Sequence, residues 1–350
     1  GQMSTSLMPT SSRPGPAGSR VAISVSDEHN NNSQANIRTG MGRYAFKRII
    51  QGIITVWFIA TATFFGMHEV PGDPLSGEKA LTEKIRENLE IKYGLNQPVI
   101  VQYGIFLKNL AKADLGISFT QENRRVNDII AEHFPVSATL GILAIIFAGL
   151  GGILWGALTA LYRNRLPDTI IMFLVILGIS LPSFVVAALG QLSLVNMNDW
   201  AGMSILPVGG WGTVWHMIVP SMVLGLSTMA YLTRLMRSSM LEIVNSDFVR
   251  TAKSKGVPAS QIFTRHQLRN AVLPVITVLG PSIAAITTGG FVVEIIFAIP
   301  GLGRYFVQAV QQLDYTVIMG TTVFYGAFLV FMVILVDLVY SVIDPRVRLE

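Results

Sequence analysis

Six mostly apolar stretches, at about residues 49–67, 136–161, 169–195, 214–232, 271–297 and 317–343, limit what this chain can fold into. Each is long enough to cross a hydrocarbon core of about 30 Å, which takes about 20 residues of helix. A backbone group left unpaired in lipid costs several kcal/mol, so runs of this kind have to be helical. None alternates apolar and polar residues as a membrane β-barrel strand does. Of the 350 residues 51% are hydrophobic and only 13% charged, more apolar material than a soluble domain can cover. The sequence predicts an all-α polytopic membrane protein with six transmembrane helices.

The charge pattern sets the expected orientation. Arg43, Lys47 and Arg48 precede the first span; Arg163 and Arg165 follow the second. Arg234, Arg237, Arg250, Lys253, Lys255, Arg265 and Arg269 follow the fourth, and Arg346 and Arg348 the last. The opposite segments, 196–213 and 298–316, hold only Arg304. Short loops rich in Lys and Arg stay in the cytoplasm, so both termini are expected there, with the lipid membrane as the surroundings. The net charge of +5 is explained by this topology, and no nucleic acid partner is expected. Without cysteine, and with five histidines lacking an H-E-x-x-H spacing, the chain offers no disulfide framework and no metal site.

Residues 1–40 are rich in Ser, Pro, Gly and Asn and read as a disordered tail. The opening Gly1 suggests a tag remnant or a processed end, with Met41 as a natural start and residues 41–67 as the basic segment and first span. Residues 68–135 read as a small extracytoplasmic subdomain. An amphipathic helix is expected over 78–92, a turn at Y-G-L-N-Q-P (93–98), and a second short helix over 99–110. Residues 136–350 form the core, including a cytoplasmic loop at 234–270.

That loop is longer than a connection requires, which marks it as a docking surface. Asn245 or Ser246 is placed to cap a short helix starting at Asp247, and Gly256 with Pro258 stops it after about two turns. Small residues at Thr251, Ala252, Ser254 and Gly256 would let a foreign surface come close. A second helix over 259–268 should return the chain to the fifth span, with Pro274 in that span's first turn. Its basic residues also suit anionic lipid head groups.

Several motifs occur in order: P-G-D-P (71–74), Y-G-L-N-Q-P (93–98), D-L-G-I-S (114–118) and D-F-V-R-T-A-K-S-K-G (247–256). L-R-N-A-V-L-P (268–274), E-I-I-F-A-I-P-G-L-G (294–303), D-Y (314–315) and D-P-R (344–346) complete the set. Through them the chain, from residue 41 to 348, resembles the permease subunits of bacterial ABC importers of the oligopeptide/dipeptide type, specifically the permease with the larger external loop. The resemblance implies the type I permease fold and one half of a heterodimeric pore. It also implies a second homologous permease, two cytoplasmic ATPase subunits that carry ATP and magnesium, and an extracytoplasmic substrate-binding protein. The 247–258 segment corresponds to that family's ATPase-contacting loop, usually E-A-A-x-x-x-G. Here the first three positions are Arg250, Thr251 and Ala252, followed by Gly256; the glutamate is absent. Asp247, Phe248, Arg250, Thr251, Ala252, Lys255, Gly256 and Pro258 are the expected coupling residues. Relatives with these motifs handle peptides, glutathione, nickel chelates or oligosaccharides.

No catalytic residue and no cofactor are expected on this chain, which lacks a G-x-x-x-x-G-K-[ST] phosphate loop. The competing class, an ion-coupled secondary transporter, would show inverted repeats and intramembrane ion ligands, and neither is evident. Candidate residues along a translocation path are Ser180, Ser183, Thr277, Ser282, Thr287 and Thr288, with Glu294 as a gate or hairpin anchor. Gly152 and Gly156 read as a close helix contact, and Asp337 as one half of an ion pair with a basic residue.

Overall fold

The computed structural model describes residues 46–70, 96–121, 123–288 and 290–343. The tail over 1–40, the amphipathic segment 78–92, P-G-D-P and D-P-R lie outside the described residues. In order, the helices are α1 (Phe46–Glu69), α2 (Val99–Leu110), α3 (Val126–Leu161), α4 (Leu166–Ser180), α5 (Ser183–Ala201), α6 (Val214–Val244) and α7 (Asp247–Ser254). A turn at Ala259–Gln261 and a π-helix at Ile262–Leu268 lead into α8 (Arg269–Thr288), followed by α9 (Phe291–Ile296), α10 (Leu302–Gln311) and α11 (Tyr315–Ile343). Among the described residues five helices are long and apolar enough to cross a membrane, and six spans result if α4 and α5, bent by 113° at their junction, count as one.

The centre is the pair α3 and α6, which run parallel and touch through small residues. A Cβ on Gly152 would lie 2.5 Å from the Leu232 Cβ, one on Gly156 2.5 Å from the Met236 Cβ, and one on Gly225 2.5 Å from the Ala144 carbonyl oxygen. In lipid there is no hydrophobic drive between helices, so such close backbone approach is what binds them. Helix α8 crosses α3 antiparallel, with Leu279 against Gly149 and Thr287 against Gly141. Helix α11 packs on α8, and α1 packs on α11, where Gly52 faces Val330 and Ile334. Arg48 pairs with Asp337 at 3.2 Å across that contact, as the sequence suggested.

Several boundaries differ from the expected ones: the fourth span, read over 214–232, continues as helix to Val244, and the helix of the fifth, read over 271–297, ends at Thr288 before a separate α9. Helix α3 starts at Val126, well before the apolar run at 136, because its polar first turns find partners outside the helix: Asn127 accepts from the Leu115 N–H (3.0 Å) and donates to the Ala113 carbonyl (2.7 Å). The third span, read as one helix over 169–195, breaks at Leu181–Pro182; Leu181 is extended and Pro182 has no N–H to continue the ladder. The return helix at 259–268 is not separate: its π-helical part runs straight into α8, so Pro274 and Pro281 both lie inside a helix.

The D-L-G-I-S loop and the D-Y pair, far apart in sequence, meet at the end of the bundle away from the basic segments. Asp314, 1% exposed, caps α11 by accepting from the Val317 N–H at 3.2 Å. Its carboxylate also accepts from the Ser118 hydroxyl, the Thr120 hydroxyl (2.9 Å) and the N–H groups of Phe119 and Thr120 (both 3.2 Å). Each buried donor stranded by its removal costs about 1–3 kcal/mol. Asp314→Ala is therefore expected to lower the thermal unfolding midpoint of the purified protein by several degrees, and a midpoint unchanged from wild type would rule out the clasp.

Candidate functional site

The segment after α6 is built as the sequence suggests, with two differences. Ser246 takes the cap position of α7, but its hydroxyl turns back to the Ile243 carbonyl (2.7 Å) and makes no bond to the helix N–H groups. Asp247 sits in the first turn, where an acid suits the positive helix end, and lies 3.9 Å from Arg250. The far end is closed by the Val257 N–H bonding the Ala252 carbonyl (3.2 Å) and the Gly256 N–H bonding the Lys253 carbonyl (3.0 Å). Gly256 has φ +75, the left-handed conformation this paired stop requires. Pro258, at φ −58, starts the next helical turn.

Two faces result. Val249 and Ala252 are buried and pack with Ile262, Ile243 and Val257, fastening α7 to the end of α6 and to the π-helix. Ala252 thus serves the chain's own core and is not free for close approach. Asp247, Phe248, Arg250, Thr251, Lys255, Gly256 and Pro258 are exposed, Phe248 as an aromatic ring among charges. The result is a short helix that presents one exposed face at the basic end of the bundle while its other face is packed on the end of α6 and on the π-helix that leads into α8.

At the other end, α9 and α10 form a hairpin held by a buried carboxylate. Glu294, 2% exposed, accepts from the Arg304 N–H at 3.1 Å and lies against Gly301 and Gly303, where any Cβ would collide with it. From α3, Ser137 accepts from the Leu302 N–H (2.9 Å), and His133, stacked on Tyr305, bonds the Pro300 carbonyl through Nδ1 (2.9 Å). On the other flank, the Gln191 amide of α5 donates to the Ile296 carbonyl at 2.8 Å. His133, Ser137 and Gln191 were not read as site residues: their spacing only shows a helix face, and the partner backbone is remote in sequence.

The remaining candidates separate. Ser180 and Ser183 are exposed at the break between α4 and α5. Thr277 is exposed and Ser282 half-buried, and both hydroxyls bond their own helix at Leu273 and Val278. Thr287 is buried against Gly141 and bonds the Ile283 carbonyl, packing α8 on α3. The side chain of Thr288 lies outside the described residues. Among the described residues no group of acids and histidines could hold a metal ion.

Residues 152–349 match the family described as binding-protein-dependent transport system inner membrane component, and residues 41–141 match its N-terminal membrane component. The dipeptide transport system permease protein of Bacillus subtilis is 44% identical over 310 residues, covering 89% of this chain and 99% of that one. Oligopeptide transport system permease proteins of Haemophilus influenzae and Escherichia coli are 40% and 39% identical, each covering 88% of this chain and 100% of theirs. A solved structure described as an amino acid ABC transporter with histidines overlays with TM-score 0.46 at 16% identity, over 63% of this chain and 95% of that one. On the family match and the near full-length relatives, the chain is a multi-pass membrane protein that belongs to the inner membrane components of binding-protein-dependent transport systems.

Proposed function

We propose that this chain is one permease subunit of an ATP-driven importer of dipeptides or oligopeptides, in the bacterial inner membrane with both termini in the cytoplasm. It pairs with a second homologous permease, binds two cytoplasmic ATPase subunits that hold ATP and magnesium, and receives substrate from an extracytoplasmic binding protein. The observation that carries the coupling role is the outward face of Asp247–Ser254, closed at Gly256 and fastened at its back to α6 and the π-helix. Near full-length identity to dipeptide and oligopeptide permeases supports the substrate class. The sidedness rests on the Lys and Arg residues gathered at the α7 end.

In mechanical terms, α7 is the handle, α6 and α8 carry its movement inward, and the Glu294 hairpin closes the opposite end. A pore of this kind needs two conformations of similar energy, with the ATPases shifting the balance between them. Uptake of a labelled dipeptide into proteoliposomes should require this chain, its partner subunits, the binding protein and ATP together. The chain alone should neither hydrolyse ATP nor accumulate peptide. Ion-driven uptake by the isolated chain would overturn the proposal; binding of nickel chelate, glutathione or an oligosaccharide by the cognate binding protein, with no peptide binding, would move it to that solute.

A further inference from the structure

We infer that Asp168 and Arg237 are positioning residues for transport, which make α4 travel as one body with α6 and so deliver movement of α7 to the break at Leu181–Pro182. The inference rests on the coupling role proposed above. Asp168 lies in the first turn of α4 and is 5% exposed. Arg237, near the end of α6, donates from Nε to Oδ1 and from Nη2 to Oδ2, both at 2.8 Å. The Asn164 N–H adds a third bond to Oδ2 at 2.9 Å, fixing the tight turn between α3 and α4, where Asn164 has φ +61. A two-pronged guanidinium–carboxylate pair fixes orientation as well as distance, which a single contact does not.

Helix α4 has little else to hold it. Its buried residues are Asp168, Val175 and Gly178, a single strip, while Ile170, Phe173, Leu174, Ile176 and Leu177 are exposed. In lipid an apolar strip gains nothing from leaving its surroundings, so the polar ties decide where the helix sits. One tie is the Asp168–Arg237 pair at the foot. The other is at the head, where the Ser227 hydroxyl of α6 bonds the Gly178 carbonyl at 3.1 Å and Gly178 lies close to Ala230. Both ties lead to α6, the helix that ends in the coupling segment.

Beyond the break the partners change. Gln191 of α5 bonds the carbonyls of Ile296 and Val208, and Ala187 and Leu194 share a core with Val293, Phe297 and Ile299 of the hairpin region and with Leu140 of α3 and Val223 of α6. Leu181–Pro182 therefore joins a segment whose polar ties lead to α6 with one whose polar ties lead to the hairpin region, although α5 also packs on Val219 and Val223 of α6. A two-residue extended link lacking one N–H is where rotation between the two meets least resistance.

The test uses the complete transporter in proteoliposomes, with ATP hydrolysis and peptide uptake measured side by side. Asp168→Ala and Arg237→Ala should keep most ATP hydrolysis while uptake falls about tenfold or more, within the usual range of coupling between sites. Because the chain has no cysteine, an Asp168→Cys/Arg237→Cys double variant can be bridged by a short thiol-specific cross-linker at one place only in this subunit. Bridging should restore uptake, and the unbridged form should not transport. Uptake and hydrolysis falling in parallel, or a bridged variant that stays silent, would overturn the inference. An unsubstituted complex that imports no peptide when given ATP would instead overturn the functional reading beneath it.

Discussion

Gly256→Val should insert and assemble normally yet lose ATP-driven uptake by about tenfold or more, the scale of a broken coupling between sites. Gly256 holds φ +75, and nothing lies within 4 Å of where a Cβ would stand. Space is therefore not the obstacle; the backbone is. A β-branched residue forced into the left-handed region costs about 1–3 kcal/mol. The chain can avoid that only by giving up the bonds from Gly256 and Val257 that stop α7. The exposed face of Asp247–Ser254 then points elsewhere, although the spans are untouched. Asparagine tolerates the left-handed region, so Gly256→Asn should retain uptake. Equal loss in both variants would shift the requirement from the turn to close approach of a partner. Normal uptake in the valine variant would remove this segment from the mechanism.

Glu294→Ala should destabilise the protein and abolish uptake, whereas Glu294→Gln should be much milder. The carboxylate is buried, accepts from the Arg304 N–H and fills the space beside Gly301 and Gly303. Truncation strands buried backbone donors at about 1–3 kcal/mol each and leaves a cavity behind. Glutamine keeps one oxygen to accept and nearly the same volume. Gly301→Val tests the same contact from the other side, because its side chain would occupy the place of the Glu294 carboxylate and the Ser137 hydroxyl. Unfolding midpoints of detergent-solubilised protein, read beside uptake, separate the three. If Glu294→Ala unfolds and transports like wild type, the hairpin does not depend on this residue.

How much could be read beforehand follows from the range of each signal. Spans are written in runs of neighbouring residues, and α1 and α11 lie close to where those runs place them, while α6 starts with its run but continues to Val244, into the segment read as loop. The two-turn helix at Asp247 was legible because a cap position, an acidic first turn and a Gly-x-Pro stop are local. The Ala252 position was not, since which side of α7 faces the body depends on Ile243 and Ile262. The break in the third span was signalled by Pro182, yet a proline inside an apolar run marks a kink and a break alike. The roles of Ser137, His133 and Gln191 left no mark, because what each bonds is a backbone group that the fold brings near.

Hydrophobic run length, the side on which lysines and arginines gather, and the ordered motifs were determined by the sequence alone, since lipid demands helices and motifs are contiguous. Only the tertiary structure decided that Asp314 clasps Ser118, that Asp168 pairs with Arg237, and that Glu294 holds the α9–α10 hairpin. The physical reason is common to all three. A carboxylate taken out of water must find donors, and whether they come from the next turn of its own helix or from residues far along the chain is settled only when the helices pack.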